Sequence, residues 1–136
     1  KTSMAKYIQS GQVKFVGTVR HNKIADYLSA ADIYVSTSFS DGTSASLLEA
    51  MSCSLPPVAT EIDGNMEWIN NGINGFLVPV ADSKKLAEKI LLLANNQELR
   101  RRLRANAEET MRTKVTWQEN IKKLTNAIDS TVPIQR

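Results

Sequence analysis

Two kinds of hydrophobic spacing alternate along the chain. Short runs rich in apolar and β-branched residues are typical of buried strands, and they occur at residues 13–17, 33–37, 55–60 and 76–78. Apolar residues three or four positions apart predict helices over residues 2–10, 22–30, 44–53 and 65–70, and helices that begin at about residues 82, 98 and 116. Strands that alternate with helices predict an α/β fold, with a parallel sheet of about four strands, flanking helices and a helical C-terminal tail. Because no linker or repeat interrupts this pattern, we interpret residues 1–136 as a single domain.

The composition is that of a soluble globular domain, with 42% hydrophobic and 23% charged residues. No apolar run approaches the roughly 20 residues that a membrane-spanning helix needs. Cys53 is the single cysteine, which excludes an internal disulfide, and its apolar neighbours predict a buried structural thiol. These features favour a reducing, cytoplasmic location.

Basic residues give the chain a net charge of +3, and much of the excess lies in the arginine-rich run at residues 100–104. A narrow apolar stripe at Leu99, Leu103 and Ala107 predicts that these arginines cover a solvated helix face. Peripheral contact with anionic lipid at the inner face of the membrane is a second interpretation of the same pattern. No aromatic side chains are interleaved with the arginines, so we do not expect a nucleic-acid partner.

The candidate chemistry lies where the second predicted strand is followed by a polar loop and a helix. Asp41 lies in this loop, and Glu49 lies in the first turns of the helix. Backbone N–H groups at a helix start attract anions, so the amides from Gly42 to Ala45 could bind phosphate or sugar oxygens. Glu49 can lean back toward such a ligand, and its carboxylate can accept both hydroxyls of a ribose.

Simpler explanations for the acidic residues remain open at this point. A carboxylate near a helix start stabilises the helix dipole by about 0.3–1 kcal/mol without any ligand, and Glu67 could do the same for the helix predicted over residues 65–70. A metal site is not expected, because the chain has no Asp-x-Asp pair and no His/Cys cluster around its lone His21. No Walker loop or G-x-G-x-x-G motif follows any predicted strand.

Six segments, in the same order, resemble the C-terminal, nucleotide-binding domain of family 4 (group 1) retaining glycosyltransferases. They are residues 13–19, 30–35, 41–51, 56–60, 64–69 and 74–79. The third segment resembles the family motif of Glu, seven intervening residues and Glu, followed by Ala50 and Met51. The resemblance implies a Rossmann-like domain that is an incomplete C-terminal half of a GT-B fold.

The resemblance also implies a function. The family consists of hexosyltransferases that transfer a sugar, with retention, from a nucleotide diphosphate donor to a glycan or lipid-linked acceptor. They require no metal, and we expect no other cofactor. By position, Glu49 would bind the ribose, and Asp41 would be the catalytic residue that contacts donor-sugar hydroxyls near the reacting centre. The amides of residues 42–44 would hold the sugar and diphosphate, and Val19 would lie against the nucleobase.

The chain departs from the family pattern at several points, of which Ser54 and Pro57, in place of the usual glycine and valine, are expected only to alter a turn. Asp41 replaces the commoner Glu, and Thr43 and Ser44 replace the frequent Phe-Gly, as in branches that build capsule or exopolysaccharide. The family's two preceding strands, the Arg and Lys that neutralise the diphosphate, and the N-terminal acceptor domain have no counterpart in this sequence. The plausible local substitutes for the cations are Arg20, His21 and Lys23.

We therefore interpret the chain as a donor-binding fragment that is inactive alone, with a nucleotide-sugar donor and an N-terminal acceptor domain as its partners. Its four strands should not form one complete sheet unaided, and the unfilled sheet could recruit a second chain in a strand-paired dimer. Two alternatives remain open: a non-catalytic binding or interaction module of the same fold, and a nucleotide-sugar epimerase of related architecture.

Overall fold

A three-stranded parallel sheet organises the chain. The computed structural model describes residues 4–114, 121–122 and 125–127. Within them the sheet consists of β1 (Tyr34–Ser36), β2 (Pro57–Thr60) and β3 (Phe76–Val78), in the order β1-β2-β3. Parallel strands place their carboxyl ends at one edge of the sheet, so the loops after β1 and β2 are neighbours. The predicted α/β architecture is confirmed.

The prediction of a strand over residues 13–17 is wrong. This segment pairs with no strand in the described part of the chain, and Phe15 is 76% exposed. An extended segment gains its ladder of hydrogen bonds only beside another strand, and β1 is paired with β2 on one side alone. The sheet therefore has three strands among the described residues instead of about four, in agreement with the expectation that the four segments do not complete a sheet by themselves.

Six helices surround the sheet in the described ranges. They are α1 (Ala5–Gln9), α2 (His21–Ser29), α3 (Ala45–Ser52), α4 (Asp63–Met66), α5 (Ser83–Asn95) and α6 (Gln97–Lys114). The helix predicted to begin at about residue 82 is α5, and its N-cap is Asp82, whose carboxylate accepts the Lys85 amide at 2.9 Å. The helix predicted from residue 116 begins outside the described residues, of which 121–122 and 125–127 are helical.

The helix α4 begins and ends earlier than predicted. It was expected to reach residue 70 but ends at Met66. Asn74 is the physical reason, because its side chain accepts the Asn70 amide at 2.8 Å and donates to the Trp68 carbonyl at 3.0 Å. These are backbone groups that a longer helix would need for its own hydrogen bonds.

The core lies on both faces of the sheet. Neighbouring residues of β2 point to opposite faces, so Ala59 packs with α3 and Val58 packs with α5. The helix α6 contributes to both sides, through Leu103 on one and Met111 on the other. In contrast, α1 and α2 contain no fully buried residue. The best-packed part of the fold therefore includes α3 and the strands from which the loops after β1 and β2 emerge.

The arginine run is not simply a solvated face. Arg100 donates to the Leu93 carbonyl at the end of α5, at 2.6 Å, and its Nε lies 3.7 Å from an Asp32 oxygen. Arg104 donates to the Ser54 carbonyl at 3.1 Å. Carbonyls in the last turn of a helix lack the usual donor four residues ahead, and Arg100 supplies one to Leu93. No helix in the described ranges has the length and apolar character needed to cross a membrane.

Candidate functional site

The start of α3 presents backbone amides to its surroundings. Ser44 occupies the N-cap position in extended conformation, but its side chain makes no capping hydrogen bond. Its hydroxyl instead lies 3.1 Å from the Ser46 hydroxyl, which is also 2.8 Å from the Tyr34 hydroxyl. Ser44, the first residue of the helix predicted over residues 44–53, is thus the N-cap of α3, but its side chain forms no capping bond. Because first-turn amides have no acceptor within a helix, this helix start remains suited to an anion.

The orientation of Glu49 follows from the packing of α3. Leu47, Ala50 and Met51 are fully buried on the side of the helix that faces the sheet and α6. Glu49 lies on another side, where its side chain remains 36% exposed. Its carboxylate lies 4.0 Å from Nδ1 of His21, the first residue of α2. Two residues far apart in the chain are therefore neighbours at this site.

A cavity of about 360 Å³ lies between α2 and α3. Its apolar wall comes from both helices, and Glu49 and His21 supply charge and hydrogen-bonding capacity. The lining residues are His21, Ile24, Ala25, Leu28, Leu48, Glu49, Ser52 and Cys53. The volume falls in the range of small-molecule sites. The Cys53 thiol was expected to be buried but is only half-buried, because it faces this cavity.

Val19 and Asp41 do not line this cavity. Val19 is half-buried in the extended segment just before α2, and Asp41 is exposed in the loop after β1. Asp41 therefore lies in the loop that leads to the start of α3. The predicted donor-binding residues between Asp41 and Glu49 lie in this loop and at the helix start. These are Gly42, Thr43, Ser44 and Ala45.

The loop that carries Asp41 is attached to the segment that follows β2. The Thr60 hydroxyl donates to the Ser38 carbonyl at 2.6 Å, and the Thr43 hydroxyl donates to a Glu67 carboxylate oxygen at 3.3 Å. The sequence did not predict these contacts. Glu67 was expected at the start of its helix, but it is the residue that follows the last turn of α4.

The three candidate cations have different surroundings. His21 is the one that lies beside a predicted site residue, Glu49. The Lys23 ammonium is paired with the Asp26 carboxylate at 2.9 Å on the surface of α2. Arg20 occupies the N-cap position of α2, with an exposed side chain. Of the three, His21 is best placed to act at the α2–α3 cavity.

No group of three or more His, Cys, Asp or Glu side chains in the described residues could hold a metal ion.

The pKa of Glu88, on α5 and away from this site, is lowered chiefly by a hydrogen bond from Lys85. This surface ion pair is exposed and contributes nothing to the geometry of the site.

Comparison with known proteins gives a consistent result. Residues 1–110 match the model of the family described as glycosyl transferases group 1. The N,N'-diacetylbacillosaminyl-diphospho-undecaprenol alpha-1,3-N-acetylgalactosaminyltransferase of Campylobacter jejuni is 32% identical over 116 residues, which are 85% of this chain and 30% of that protein. The chain thus spans about 30% of the length of the curated relatives that it matches.

Solved structures resemble the chain over most of its length. The C-terminal domain of the group 1 family protein LpcC from Francisella tularensis superposes with a TM-score of 0.74 at 30% identity, covering 84% of this chain and 60% of that domain. Anabaena Alr3699/HepE, in complex with UDP-glucose, superposes with a TM-score of 0.78 at 26% identity, covering 91% of this chain and 35% of that one.

Proposed function

The chain belongs to the group 1 glycosyl transferases, and we propose that it is the part of such an enzyme that binds the nucleotide diphosphate sugar donor. The observation that carries this proposal is the position of Glu49, whose carboxylate borders the α2–α3 cavity just beyond a helix start with an uncapped first turn. The proposal extends to the whole protein, which would transfer the sugar with retention, without a metal, to a glycan or lipid-linked acceptor.

Glu49 is assigned to the ribose. A carboxylate accepts hydrogen bonds from both hydroxyls of a diol, and the diol's own donors would replace water in a half-open cavity. His21 lies within 4.0 Å of this carboxylate, so it can hold one oxygen while the other meets the ribose. The apolar wall formed by Ile24, Leu28 and Leu48 offers a surface for the nucleoside. Val19, in the segment just before α2, is assigned to the base.

The first-turn amides of α3 are assigned to the diphosphate and the sugar. They begin at Ala45, directly after the Asp41 loop, so a donor with its ribose on Glu49 would extend its phosphates across the helix start toward Asp41. Asp41 would then accept hydrogen bonds from the sugar hydroxyls. The complex of Anabaena HepE with UDP-glucose supports this class of donor.

The site needs more positive charge than this chain supplies. Two carboxylates near a diphosphate repel it, and at the site only His21 stands beside one of them among the described residues. Because the chain spans about 30% of its relatives' length, we assign the remaining cations to the preceding strands of the same domain and the acceptor site to an N-terminal domain of the same enzyme. On this proposal the 136 residues alone bind nucleotide weakly and transfer no sugar.

The proposal is tested by titrating UDP and GDP against the chain and against Glu49→Gln, using isothermal calorimetry. Glu49→Gln keeps the shape of the side chain but removes its charge, so we expect the affinity for the nucleotide that binds to fall roughly 10-fold or more. Glu98→Gln on α6, where Glu98 pairs with Arg101, is the matched control and should bind like the wild type.

Equal affinity of wild type and Glu49→Gln would overturn the ribose assignment. If neither nucleotide binds, even when the chain is expressed with any coding sequence that precedes Lys1, the chain is a non-catalytic module of this fold. If the chain converts the donor into a different nucleotide sugar when no acceptor is present, it is an epimerase instead.

A further inference from the structure

The segment from Thr60 to Glu67, which includes the end of β2 and all of α4, holds the loop after β1 at three points. At the start of the loop, the Thr60 hydroxyl donates to the Ser38 carbonyl at 2.6 Å. In the middle, the backbone of Gly64 lies against the carbonyl groups of Asp41 and Gly42. At the end, Thr43 donates to Glu67 at 3.3 Å. The three contacts follow the loop in order.

Gly64 permits the middle contact because it has no side chain. A Cβ at this buried position would meet the Gly42 carbonyl oxygen, and would lie 2.5 Å from the carbon of that carbonyl and 2.8 Å from the Asp41 carbonyl oxygen. Real Cβ atoms do not approach backbone so closely. Any other residue at position 64 would therefore displace the carbonyl groups of Gly42 and Asp41.

The segment is itself firmly attached to the core. Asn65 is 1% exposed, and its side-chain amide donates to the Thr60 carbonyl at 2.8 Å. Ile69, in the turn after α4, is buried with Met51 and Ala59 in the core cluster between α3 and the sheet. A segment held in this way can act as a fixed support for a neighbouring exposed loop.

The position of Glu67 is not explained by helix stability. A carboxylate favours the first turn of a helix, whereas Glu67 follows the last turn of α4, where the helix dipole disfavours it. Its hydrogen bond with Thr43 gives it another role. That bond depends on the hydroxyl of Thr43.

We infer that Gly64 and Glu67 are positioning residues, which hold the Asp41 loop in the orientation that the donor sugar requires. This inference rests on the proposed function. Neither residue needs to touch the donor. Gly64 sets how closely the loop approaches α4, and Glu67 fixes the rotamer of Thr43. Glu49 stands on α3, which the three contacts do not involve, so the ribose should be bound independently of them.

The experiment compares Glu67→Ala, which removes the acceptor, with Glu67→Gln, which retains an acceptor oxygen. Calorimetry measures the affinity for each member of two ligand pairs, UDP and UDP-glucose, and GDP and GDP-mannose. For the pair that binds the wild type, the affinity for the nucleotide sugar is divided by the affinity for the nucleotide. We expect Glu67→Ala to weaken the nucleotide sugar about 3- to 10-fold and the nucleotide less than about 2-fold. Glu67→Gln should restore most of the loss. Glu61→Ala, which removes an exposed carboxylate just after β2, is the control.

Gly64→Ala tests the closer contact. It should lower the ratio of nucleotide-sugar affinity to nucleotide affinity by more than Glu67→Ala does. Its urea unfolding curve reports whether the domain is still folded. Equal weakening of nucleotide and nucleotide sugar in Glu67→Ala, or failure of Glu67→Gln to restore the ratio, would overturn the inference.

A ligand-independent measurement separates this inference from the proposed function. Three-bond couplings of the labelled Thr43 methyl should indicate one side-chain rotamer in the wild type and Glu67→Gln, and averaging in Glu67→Ala. If the wild type binds no nucleotide, the proposed function fails, yet this result still decides whether Glu67 positions the loop. Unchanged couplings in Glu67→Ala would show that it does not.

Discussion

The helix α3 and the loop that precedes it each carry one carboxylate of the proposed donor site, but they are held in different ways. Glu49 belongs to a helix whose opposite side, at Leu47, Ala50 and Met51, is completely buried. Asp41 belongs to a loop that is exposed from residue 39 to residue 43 and is attached mainly through polar contacts with its neighbours. Packing holds the helix that carries the first carboxylate, and polar contacts hold the loop that carries the second.

The difference has energetic consequences. Burying one large apolar side chain contributes about 1.5–3 kcal/mol, while a hydrogen bond contributes about 0.5–1.5 kcal/mol net. The position of Glu49 is therefore maintained as long as the domain is folded, but the position of Asp41 can change without unfolding it. Such a division suits a donor site, because the ribose is common to nucleotide sugars and the sugar varies.

The largest effect is expected from Leu47→Ala, which tests the packing that holds α3 in place. It should lower the free energy of unfolding by about 2–5 kcal/mol, since it leaves a cavity in a fully buried position. Urea denaturation followed by circular dichroism measures the change. Leu91→Ala, on the exposed side of α5 with Leu91 60% exposed, should change stability by less than about 1 kcal/mol. Similar losses in both variants would contradict the account of α3.

An intermediate effect is expected from Asp41→Asn, which tests the loop side. The substitution keeps the size of the side chain and removes its charge, so it should weaken binding of a nucleotide sugar about 10-fold through lost charged hydrogen bonds to the sugar. Binding of the corresponding nucleotide diphosphate should stay the same or tighten slightly, because one negative charge is gone. Calorimetry with both ligands measures the two affinities. A loss of nucleotide affinity as large as the loss for the sugar would contradict separate roles for the two carboxylates.

The smallest effect is expected from Thr60→Val, which removes the hydrogen bond to the Ser38 carbonyl at the start of the loop. It should reduce the free energy of unfolding by about 1 kcal/mol and leave nucleotide affinity unchanged. Thr60→Ser is the complementary change, because it retains the hydroxyl and loses the methyl group that Val keeps. If Thr60→Val is as stable in urea as the wild type, the hydrogen bond does not support the loop.

Much of the fold followed from local patterns. The strands at β1, β2 and β3 lie within the predicted runs, and α3, α5 and α6 lie close to their predicted bounds. Glu49 could be predicted as well, because its place in the first turns of a helix after a strand depends only on nearby residues. The segment at residues 13–17 has the composition of a strand, but composition does not supply the neighbouring strand that pairing requires.

Contacts between distant parts of the chain account for what the patterns missed. The approach of His21 to Glu49, the support of the Asp41 loop by Gly64, and the bond from Thr43 to Glu67 all join residues that no periodicity relates. Periodic apolar residues determine which face of a helix or strand is buried, since burial is a local preference repeated along one element. The distances between polar groups on different elements depend instead on how those elements pack, and that geometry exists only in the folded chain.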